Sequence, residues 1–346
     1  MDRLTVAVVG ASGYTGAELL RILVDHPRVD LVHLSAHKNA GQRAADLFPH
    51  LTGRLNFVCR AFDADEVARL AQVAFLALPH GESVPAAAAL LERGVAVFDL
   101  SADFRLHDVA DYERWYGAHA APQLLARAVY GMPELHRGAL AGARLVAVPG
   151  CYPTATILTL APLLEAGLIR PDGIIVDAKS GTSGAGRTPS LATHFSEAGE
   201  GVRAYKVAEH RHTPEIEQEL SAAAGKPVIV TFTPHLLPMS RGILSTCYAV
   251  PVDESAPRSA YLEALRARYQ GERFVHVVER PPDTSHVRGS NRVHVSAWID
   301  TRSKRVVAMG AIDNLVKGAA GQAVQAMNAA FGFEEMMGVD AIGIFP

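Results

Sequence analysis

The stretch LTVAVVGASGYTG, residues 4–16, decides the fold of the first part of the chain. Its first six residues are mostly apolar and β-branched, which is typical of a strand buried on both faces of a parallel sheet. Glycines follow at positions 10, 13 and 16, and residues 17–24 have the apolar spacing of a helix. A strand, a glycine-rich turn and a helix in this order predict the first βα unit of a doubly wound sheet.

The three glycines also have a chemical consequence. A turn without side chains lets backbone N–H groups approach a pyrophosphate, which then lies at the N-terminus of the following helix. The G-x-x-G-x-x-G spacing is a variant of the usual dinucleotide fingerprint, so a purely structural turn in another α/β protein stays open as the alternative. The predicted cofactor contacts in this turn are Gly10, Ser12, Gly13, Tyr14, Thr15 and Gly16.

The end of the second predicted strand, residues 30–35, bears on the choice of nucleotide. NAD-binding proteins usually carry Asp or Glu there, which holds the ribose 2′-hydroxyl. This strand ends in Ser35, Ala36, His37 and Lys38, without an acidic residue. The hydroxyl, imidazole and ammonium groups suit a 2′-phosphate, so the sequence predicts NADP rather than NAD.

Three more predicted strands extend the first domain. They cover residues 73–78, 95–100 and 145–148, and a helical pattern at 84–93 joins the first two. Strands that alternate with helices predict a parallel, Rossmann-type α/β sheet. Residues 101–142 lack a clear period, and we expect irregular structure with short helices there.

The pattern changes after residue 150. Strands with alternating polarity dominate the second half, and only two clear helices, 214–223 and 260–269, interrupt them. Such a sequence predicts a mixed or antiparallel sheet in an α+β domain. We therefore predict a nucleotide-binding domain at 1–150, an α+β domain at 151–312, and a C-terminal helix and tail at 313–346 that returns to the first domain.

The composition argues against several classes of function. A formal net charge of -3 gives no basic surface for a nucleic acid. No apolar stretch reaches the ~20 residues of a membrane span, and the 15 histidines show no zinc-ligand spacing. Three cysteines without a secretory leader pattern are typical of a reducing compartment, so we expect a cytoplasmic protein without metal.

The sequence PGCYPT, residues 149–154, places Cys151 between a strand and a helix. The partial positive charge and N–H groups of a helix N-terminus stabilise a thiolate and, after its attack on a carbonyl, an oxyanion. Most cysteines outside disulfides are small buried apolar residues, and Cys59 and Cys247, in apolar runs, are interpreted in this way. The turn makes Cys151 the candidate nucleophile.

A nucleophilic cysteine needs a proton acceptor nearby. The segment 210–215, HRHTPE, offers two imidazoles before a helix that Thr213 can cap and Pro214 can open. If this segment is extended, the rings of His210 and His212 point the same way, so either residue can be the base. Other histidines, such as His26 and His136, are expected at the surface.

Other segments are candidates for binding anions or the cofactor. The loop 180–187, SGTSGAGR, is rich in backbone donors and suits a phosphate or a nicotinamide, although a mobile glycine loop is the alternative. Arg105 and Arg241 lie beside predicted turns and suit a carboxylate or phosphate, although each could equally form a surface ion pair. Pro79 and His80 follow the third strand, which favours a role beside the cofactor.

Six segments together resemble the N-acetyl-γ-glutamyl-phosphate reductases, the arginine-biosynthetic branch of the semialdehyde dehydrogenase superfamily. They are residues 10–16 (GASGYTG), 99–105 (DLSADFR), 149–154 (PGCYPT), 180–187 (SGTSGAGR), 210–215 (HRHTPE) and 311–318 (AIDNLVKG). One such motif is weak, whereas six in chain order are specific, and the resemblance covers nearly the whole chain.

The resemblance implies a hydride reaction with a covalent intermediate. Cys151 would attack the acyl phosphate of N-acetylglutamate, phosphate would leave to give a thioester, and NADPH would reduce the thioester to the semialdehyde. A histidine, His212 first and His210 second, would move the proton, and Glu215 would orient it. The second domain would be the catalytic and dimerisation domain of a homotetramer or dimer.

The resemblance also implies binding residues. Arg105, Ser183 and Arg241 match positions that would hold the phosphate or the carboxylate, and Asn314 resembles a residue that contacts the nicotinamide. From the loop 180–187 we assign Ser183 and Gly184 to the cofactor as well, and Ser180 and Arg187 to the substrate. His37 departs from the family pattern, in which arginine is frequent near the 2′-phosphate, so whether His37 or Lys38 is the main contact stays open.

Three alternatives remain at this point. A reductase of carrier-linked aminoadipyl phosphate is disfavoured by the segments 150–153 and 183–186. An aspartyl-phosphate reductase is disfavoured because its cysteine typically follows an asparagine, whereas Cys151 follows Gly150. A protein that senses NADP without catalysis is disfavoured because the cysteine and both histidines are present.

Overall fold

The computed structural model describes residues 3–345, which form two compact units. The first unit comprises residues 3–149 and 319–340, and the second comprises residues 150–318 and 341–345. The chain therefore leaves the first unit after residue 149 and returns to it at residue 319. The three-part division into domains drawn from the sequence stays a prediction.

The secondary structure has the following bounds. The strands are β1 (Leu4–Val9), β2 (Val29–Ser35), β3 (Val73–Leu76), β4 (Ala96–Asp99), β5 (Val129–Tyr130), β6 (Leu145–Ala147), β7 (Ile174–Gly181), β8 (Arg203–Ala204), β9 (Val230–Leu237), β10 (Ile243–Ala249), β11 (Val275–Val277), β12 (Val293–Asp300) and β13 (Arg305–Ile312). The α-helices are α1 (Tyr14–Leu23), α2 (Ala44–Leu47), α3 (Ala64–Leu70), α4 (Ser83–Glu92), α5 (Val109–Tyr116), α6 (Pro133–Leu140), α7 (Cys151–Glu165), α8 (Phe195–Ala198), α9 (Thr213–Ala224), α10 (Arg258–Arg268) and α11 (Gly321–Ala330). A π-helix, Val316–Ala320, directly precedes α11.

A six-stranded sheet forms the centre of the first unit. Its order is β2-β1-β3-β4-β6-β5, and every neighbouring pair is parallel. The strands β3 and β4 are completely buried, as their continuous apolar sequences require. Helix α11 packs on α1 and α6 of the same unit. The predicted Rossmann-type sheet is confirmed.

Residues 101–142 form short helices and irregular structure, as expected. The sequence did not predict β5, which pairs with β6 and extends the sheet, because two residues are too few to show a period. One expectation for this unit was wrong. His26, expected at the surface, is fully buried, and its Nε2 lies 3.1 Å from Asn328 Oδ1. Burial lowers the pKa of His26, so the neutral ring is favoured.

A seven-stranded mixed sheet forms the second unit, in the order β11-β12-β13-β10-β7-β9-β8. The pairs β7–β9 and β11–β12 are parallel and the others antiparallel. Helix α7 is buried from Tyr152 to Leu164 and packs on β10 and β13. Helix α7 can lie close to β13 because Gly310 of that strand has no side chain: an added Cβ would lie 2.9 Å from the carbonyl oxygen of Ala155 in α7. The predicted α+β class is confirmed.

Candidate active site

The glycine turn joins β1 to α1 at the carboxyl edge of the first sheet. Gly10 has a φ of +85°, and an added Cβ there would lie 2.3 Å from Ala77 O. At Gly16 an added Cβ would lie 2.5 Å from Ala11 O. These two glycines therefore allow backbone segments to pack closely, and a side chain at either would disrupt the turn.

The same turn fits a pyrophosphate. Gly13 is the N-cap residue of α1, and an added Cβ there would meet no atom within 4 Å. The first turn of α1 carries no acidic side chain. Open space at a helix N-terminus, with its unsatisfied N–H groups and positive dipole end, is suited to an anion. The structure brings Ser12, Tyr14 and Thr15 to this helix N-terminus.

The end of β2 supports the turn. The Ser35 carbonyl oxygen accepts two backbone hydrogen bonds from the turn, both 2.9 Å long. Ser35 is buried, and its hydroxyl lies 2.8 Å from His33 Nε2. His37 and Lys38 are exposed just beyond the strand. These two side chains are therefore available for a phosphate, whereas the Ser35 hydroxyl is already engaged.

A buried carboxylate, Asp103, holds the loop after β3. Its Oδ1 and Oδ2 accept hydrogen bonds from Gly81 N at 2.9 and 2.7 Å, and Oδ1 also accepts one from the Tyr112 hydroxyl at 2.9 Å. The His80 Nδ1 lies 3.4 Å from Oδ1. This network positions Pro79 and His80 at the edge of the sheet. Asp103 was missed in the sequence, although the motif 99–105 contains it.

Arg105 is almost fully buried in the first unit. Its Nε donates to Val148 O at 2.8 Å and its Nη2 to Leu100 O at 2.9 Å. The guanidinium thus connects the segments that follow β4 and β6. Contact with substrate stays a prediction for this residue.

Asp99, the last residue of β4, is fully buried. The Ser101 hydroxyl donates to its Oδ2 at 2.6 Å. Burial raises the pKa of Asp99 to about 6, even though the hydrogen bond from Ser101 acts in the opposite direction. The carboxyl group therefore titrates close to neutral pH.

In the second unit, Cys151 is the first residue of α7 and is half-buried. The helix begins at the cysteine itself, which places Cys151 in its first turn. Gly150 is the N-cap residue, and its N–H donates to Glu215 Oε1 at 2.8 Å. Glu215 is only 1% exposed. A buried carboxylate on α9 therefore fixes the residue before the thiol.

The two histidines of residues 210–215 lie together, with ring centroids 4.8 Å apart. The segment is a turn with helical dihedrals at His212, φ -82° and ψ -10°, so the expected extended conformation was wrong. Thr213 is the first residue of α9 rather than its cap, and the N-cap residue His212 makes no side-chain cap. His210 Nδ1 accepts the backbone N–H of His212 at 3.1 Å, so the proton of a neutral His210 ring lies on Nε2.

An aromatic cluster surrounds His210. The rings of Tyr152, Tyr205 and Phe232 lie 5.5, 5.6 and 5.2 Å from it. Burial, assisted by two nearby cations, lowers the pKa of His210 to about 4. The Tyr205 hydroxyl donates to the Tyr152 hydroxyl at 3.0 Å. Tyr205 and Phe232 could not be identified from the sequence, because both lie far from the cysteine along the chain.

Asn314 connects two loops of the second unit. It is 2% exposed; its Oδ1 accepts a hydrogen bond from Gly242 N at 2.7 Å, and its Nδ2 donates to Ser183 Oγ at 3.0 Å. A Cβ added to Gly184 would lie 3.1 Å from Ser180 Oγ. The structure therefore brings together the predicted residues Ser180, Ser183, Gly184 and Asn314. The C-terminal helix predicted within residues 313–346 is a π-helix followed by α11.

The two remaining arginines of this unit differ in exposure. Arg241 is half-buried, and its Nη1 lies 3.6 Å from Asp313 Oδ2. The same oxygen accepts a hydrogen bond from Gly289 N at 2.7 Å. Arg187 is exposed beyond the short helical turn Thr182–Ala185.

Residues 3–345 contain neither a membrane-spanning helix nor a group of clustered metal ligands. No helix in this range is long and apolar enough to cross a membrane. No cluster of three or more His, Cys, Asp or Glu side chains in the same range has the arrangement of a metal site.

Two family models match most of the chain. One, described as the NAD binding domain of semialdehyde dehydrogenase, matches residues 5–143, and one described as its dimerisation domain matches residues 151–314. The chain belongs to the semialdehyde dehydrogenase family. This confirms the resemblance inferred from the six motifs, and the dimerisation domain indicates that the protein forms homo-oligomers.

Curated relatives of this semialdehyde dehydrogenase cover its whole length. A protein of Moorella thermoacetica named N-acetyl-gamma-glutamyl-phosphate reductase is 53% identical over 99% of this chain and 100% of its own. A protein of the same name from Heliobacterium modesticaldum is 50% identical over the same shares.

Solved structures share the semialdehyde dehydrogenase fold at lower identity. Aspartate semialdehyde dehydrogenase II of Vibrio cholerae, complexed with ASA, is similar with a TM-score of 0.72 and 18% identity, over 95% of this chain and 98% of that one. The Candida albicans aspartate semialdehyde dehydrogenase with NADP is similar with a TM-score of 0.71 and 16% identity, over 95% and 98%.

Proposed function

We propose that this enzyme reduces N-acetyl-γ-glutamyl phosphate with NADPH to N-acetylglutamate 5-semialdehyde and phosphate, a step of arginine biosynthesis. The observation that carries the proposal is a cysteine at the first residue of α7 in a chain about half identical, end to end, to reductases of that name. The glycine turn of the first unit, with Gly13 open and no acid in the first turn of α1, supports a dinucleotide cofactor.

Cys151 is the proposed nucleophile. Its Sγ forms a bond to the acyl carbon, the bond from that carbon to the phosphate oxygen breaks, and phosphate leaves with the electron pair. The N–H groups of the first turn of α7 stabilise both the thiolate and the oxyanion of this step. When bound, NADPH supplies a hydride to the acyl carbon of the thioester. Collapse of the resulting thiohemiacetal breaks the C–S bond and regenerates the thiolate.

His212 is the proposed proton carrier. It accepts the thiol proton before attack and gives a proton to the departing phosphate oxygen. His210 suits this task less, because its Nδ1 already accepts a backbone N–H and burial lowers its pKa to about 4. We propose that His210, within its aromatic cluster, fixes the turn that presents His212.

Glu215 is proposed to position the nucleophile rather than the histidine. Its carboxylate accepts the N–H of Gly150 at 2.8 Å and thereby fixes the backbone immediately before Cys151. This differs from the role in orienting the histidine that the family resemblance implied.

The cofactor and substrate residues are proposed as follows. The turn 10–16 holds the pyrophosphate, His37 and Lys38 hold the 2′-phosphate that distinguishes NADP, and Pro79 and His80 flank the cofactor. Ser183, Gly184 and Asn314 contact the nicotinamide, and the substrate's phosphate and carboxylate are held by Arg105, Ser180, Arg187 and Arg241. Because a catalytic thiolate and NADPH both suit a reducing compartment, we propose a cytoplasmic location, with a dimer or tetramer as the assembly.

The decisive experiment is phosphate- and NADP-dependent oxidation of three semialdehydes: those of N-acetylglutamate, aspartate and carrier-linked aminoadipate. We expect activity with the first, its collapse in Cys151→Ser with NADP binding retained, and normal activity in the control Cys59→Ala, whose thiol is buried in the first unit. Activity only with another semialdehyde would refute the substrate, and undiminished turnover by Cys151→Ser would refute the mechanism.

A further inference from the structure

Gly318, the last residue of the inserted segment of the second unit, lies in the π-helix Val316–Ala320. Its N–H donates to Asp313 O at 2.9 Å, the i to i−5 hydrogen bond that defines this wide turn. Single π turns are rare and frequently occur at functional sites. Gly318 is buried, and the mechanism above assigns it no role.

The space that a side chain at Gly318 would need is filled by the proposed nucleophile. An added Cβ would lie 2.7 Å from the Cβ and 3.2 Å from the Cα of Cys151. These atoms are the fixed base of the cysteine rather than the tip of a flexible side chain, so rotation about χ1 cannot relieve the overlap. The next nearest atom, Ile312 Cδ1 at 3.3 Å, belongs to a side chain that can move.

Both partners of this contact are held in place. On one side, Gly150 is fixed by Glu215, and α7 is buried from its second residue onward. On the other side, Asp313 Oδ1 accepts hydrogen bonds from the N–H groups of residues 315 and 316, at 2.8 and 3.0 Å, and so caps the π-helix. Neither backbone segment can retreat without breaking buried hydrogen bonds.

We propose that Gly318 is a positioning residue for Cys151: the lack of a side chain lets the π-helix pack against the base of the nucleophile and fixes where its sulfur lies. The proposal rests on the proposed role of Cys151. The variant Gly318→Ala must part the two Cβ atoms by about 0.7 Å to reach ordinary contact. Misplacement of a reacting group by ~1 Å can cost about 100-fold in rate, so we expect kcat to fall about 10- to 100-fold.

The test compares Gly318→Ala with Gly138→Ala, a helical glycine of α6 where an added Cβ meets no atom within 4 Å. Steady-state kinetics should give a fall in kcat for Gly318→Ala alone, with KM for the semialdehyde and Kd for NADP changed less than ~3-fold. Iodoacetamide should alkylate Cys151 at an altered rate in this variant. A kcat within ~2-fold of the wild-type value would overturn the proposal.

A double variant keeps the proposal testable even if Gly318→Ala is poorly folded. Because the closest overlap is with the Cys151 Cβ, adding Cys151→Gly should restore most of the Tm lost in Gly318→Ala, whereas adding the remote Cys59→Ala should not. Absence of this recovery would overturn the close approach. Retained turnover by Cys151→Ser would instead overturn the proposed function, while the recovery of Tm would still report on the contact.

Discussion

Replacement of Glu215 by alanine tests how the backbone before the nucleophile is held. The Glu215 carboxylate is 1% exposed and accepts the N–H of Gly150, itself buried, at 2.8 Å. Alanine removes this acceptor from a site that water does not reach. Glutamine keeps an oxygen at the same position and removes only the charge.

The size of the effect follows from the burial. A hydrogen bond to a charged group contributes about 1.5–3 kcal/mol, and a buried donor left without its acceptor costs about 1–3 kcal/mol. We therefore expect Glu215→Ala to lower the free energy of unfolding by about 2–3 kcal/mol and Glu215→Gln by about 1 kcal/mol. Since Gly150 directly precedes Cys151, we also expect kcat to fall ~10- to 100-fold in the alanine variant, with a smaller change in KM.

Glu217→Ala is the matched control on the same helix. Its Oε1 also accepts a backbone N–H, that of Val230 at 3.0 Å, but at a strand rather than beside the cysteine. Urea unfolding should show a loss for both alanine variants, whereas steady-state kinetics should show a loss of kcat only for Glu215→Ala. Equal effects of the two variants on kcat, or a free energy of unfolding for Glu215→Ala within ~0.5 kcal/mol of wild type, would refute the reasoning.

Four other side chains lead to predictions of the same kind. His212→Gln should lower kcat at least ~100-fold, because it removes the proposed proton carrier, whereas His210→Gln should lower kcat less than ~10-fold. Equal losses of kcat for the two variants in steady-state assays would contradict the assignment of the proton carrier. Burial raises the pKa of Asp99 from 3.8 to about 6, so the folded state favours the protonated carboxyl group. The stabilisation that this group contributes is complete below pH 3.8 and is lost as the pH rises through 6. In the wild-type protein this loss of unfolding free energy is on the order of 2–3 kcal/mol between pH 4 and 7, and Asp99→Asn should remove it. Urea unfolding at several pH values checks this, and the same pH dependence in the variant would contradict the prediction. Tyr205→Phe removes the hydroxyl that donates to Tyr152 and should cost about 1 kcal/mol of unfolding free energy with Kd for NADP unchanged, as checked by titration.

Local patterns in the sequence were enough to predict much of the fold. Strand β1 has the predicted ends, because a run of mostly apolar, β-branched residues is recognisable within a short window. The turn before α7 was recognised because a strand pattern ends there and Pro153 suits the first turn of a helix. The π-helix was not predicted, since its wide turn has no distinct apolar period.

The candidate site was predicted as a set of residues but not as a geometry. Cys151 and the two histidines were found because each lies in a local motif before a helix. The hydrogen bond from Gly150 to Glu215 and the approach of Gly318 to Cys151 join residues far apart in sequence, so no local pattern encodes them. The conformation of residues 210–212 depends on packing against Tyr152, Tyr205 and Phe232, which is equally non-local.

The interrupted first unit sets an order of events during synthesis on the ribosome. Two buried residues of its N-terminal part, His26 and Glu134, find hydrogen-bond partners on α11: Asn328 Oδ1 lies 3.1 Å from the His26 ring, and Gln325 Nε2 donates to Glu134 at 3.0 Å. Neither partner exists until the inserted residues 150–318 have been translated. The nascent chain therefore holds every strand of the second sheet before the first unit can bury these two side chains, and α11 acts as the late closing step of folding.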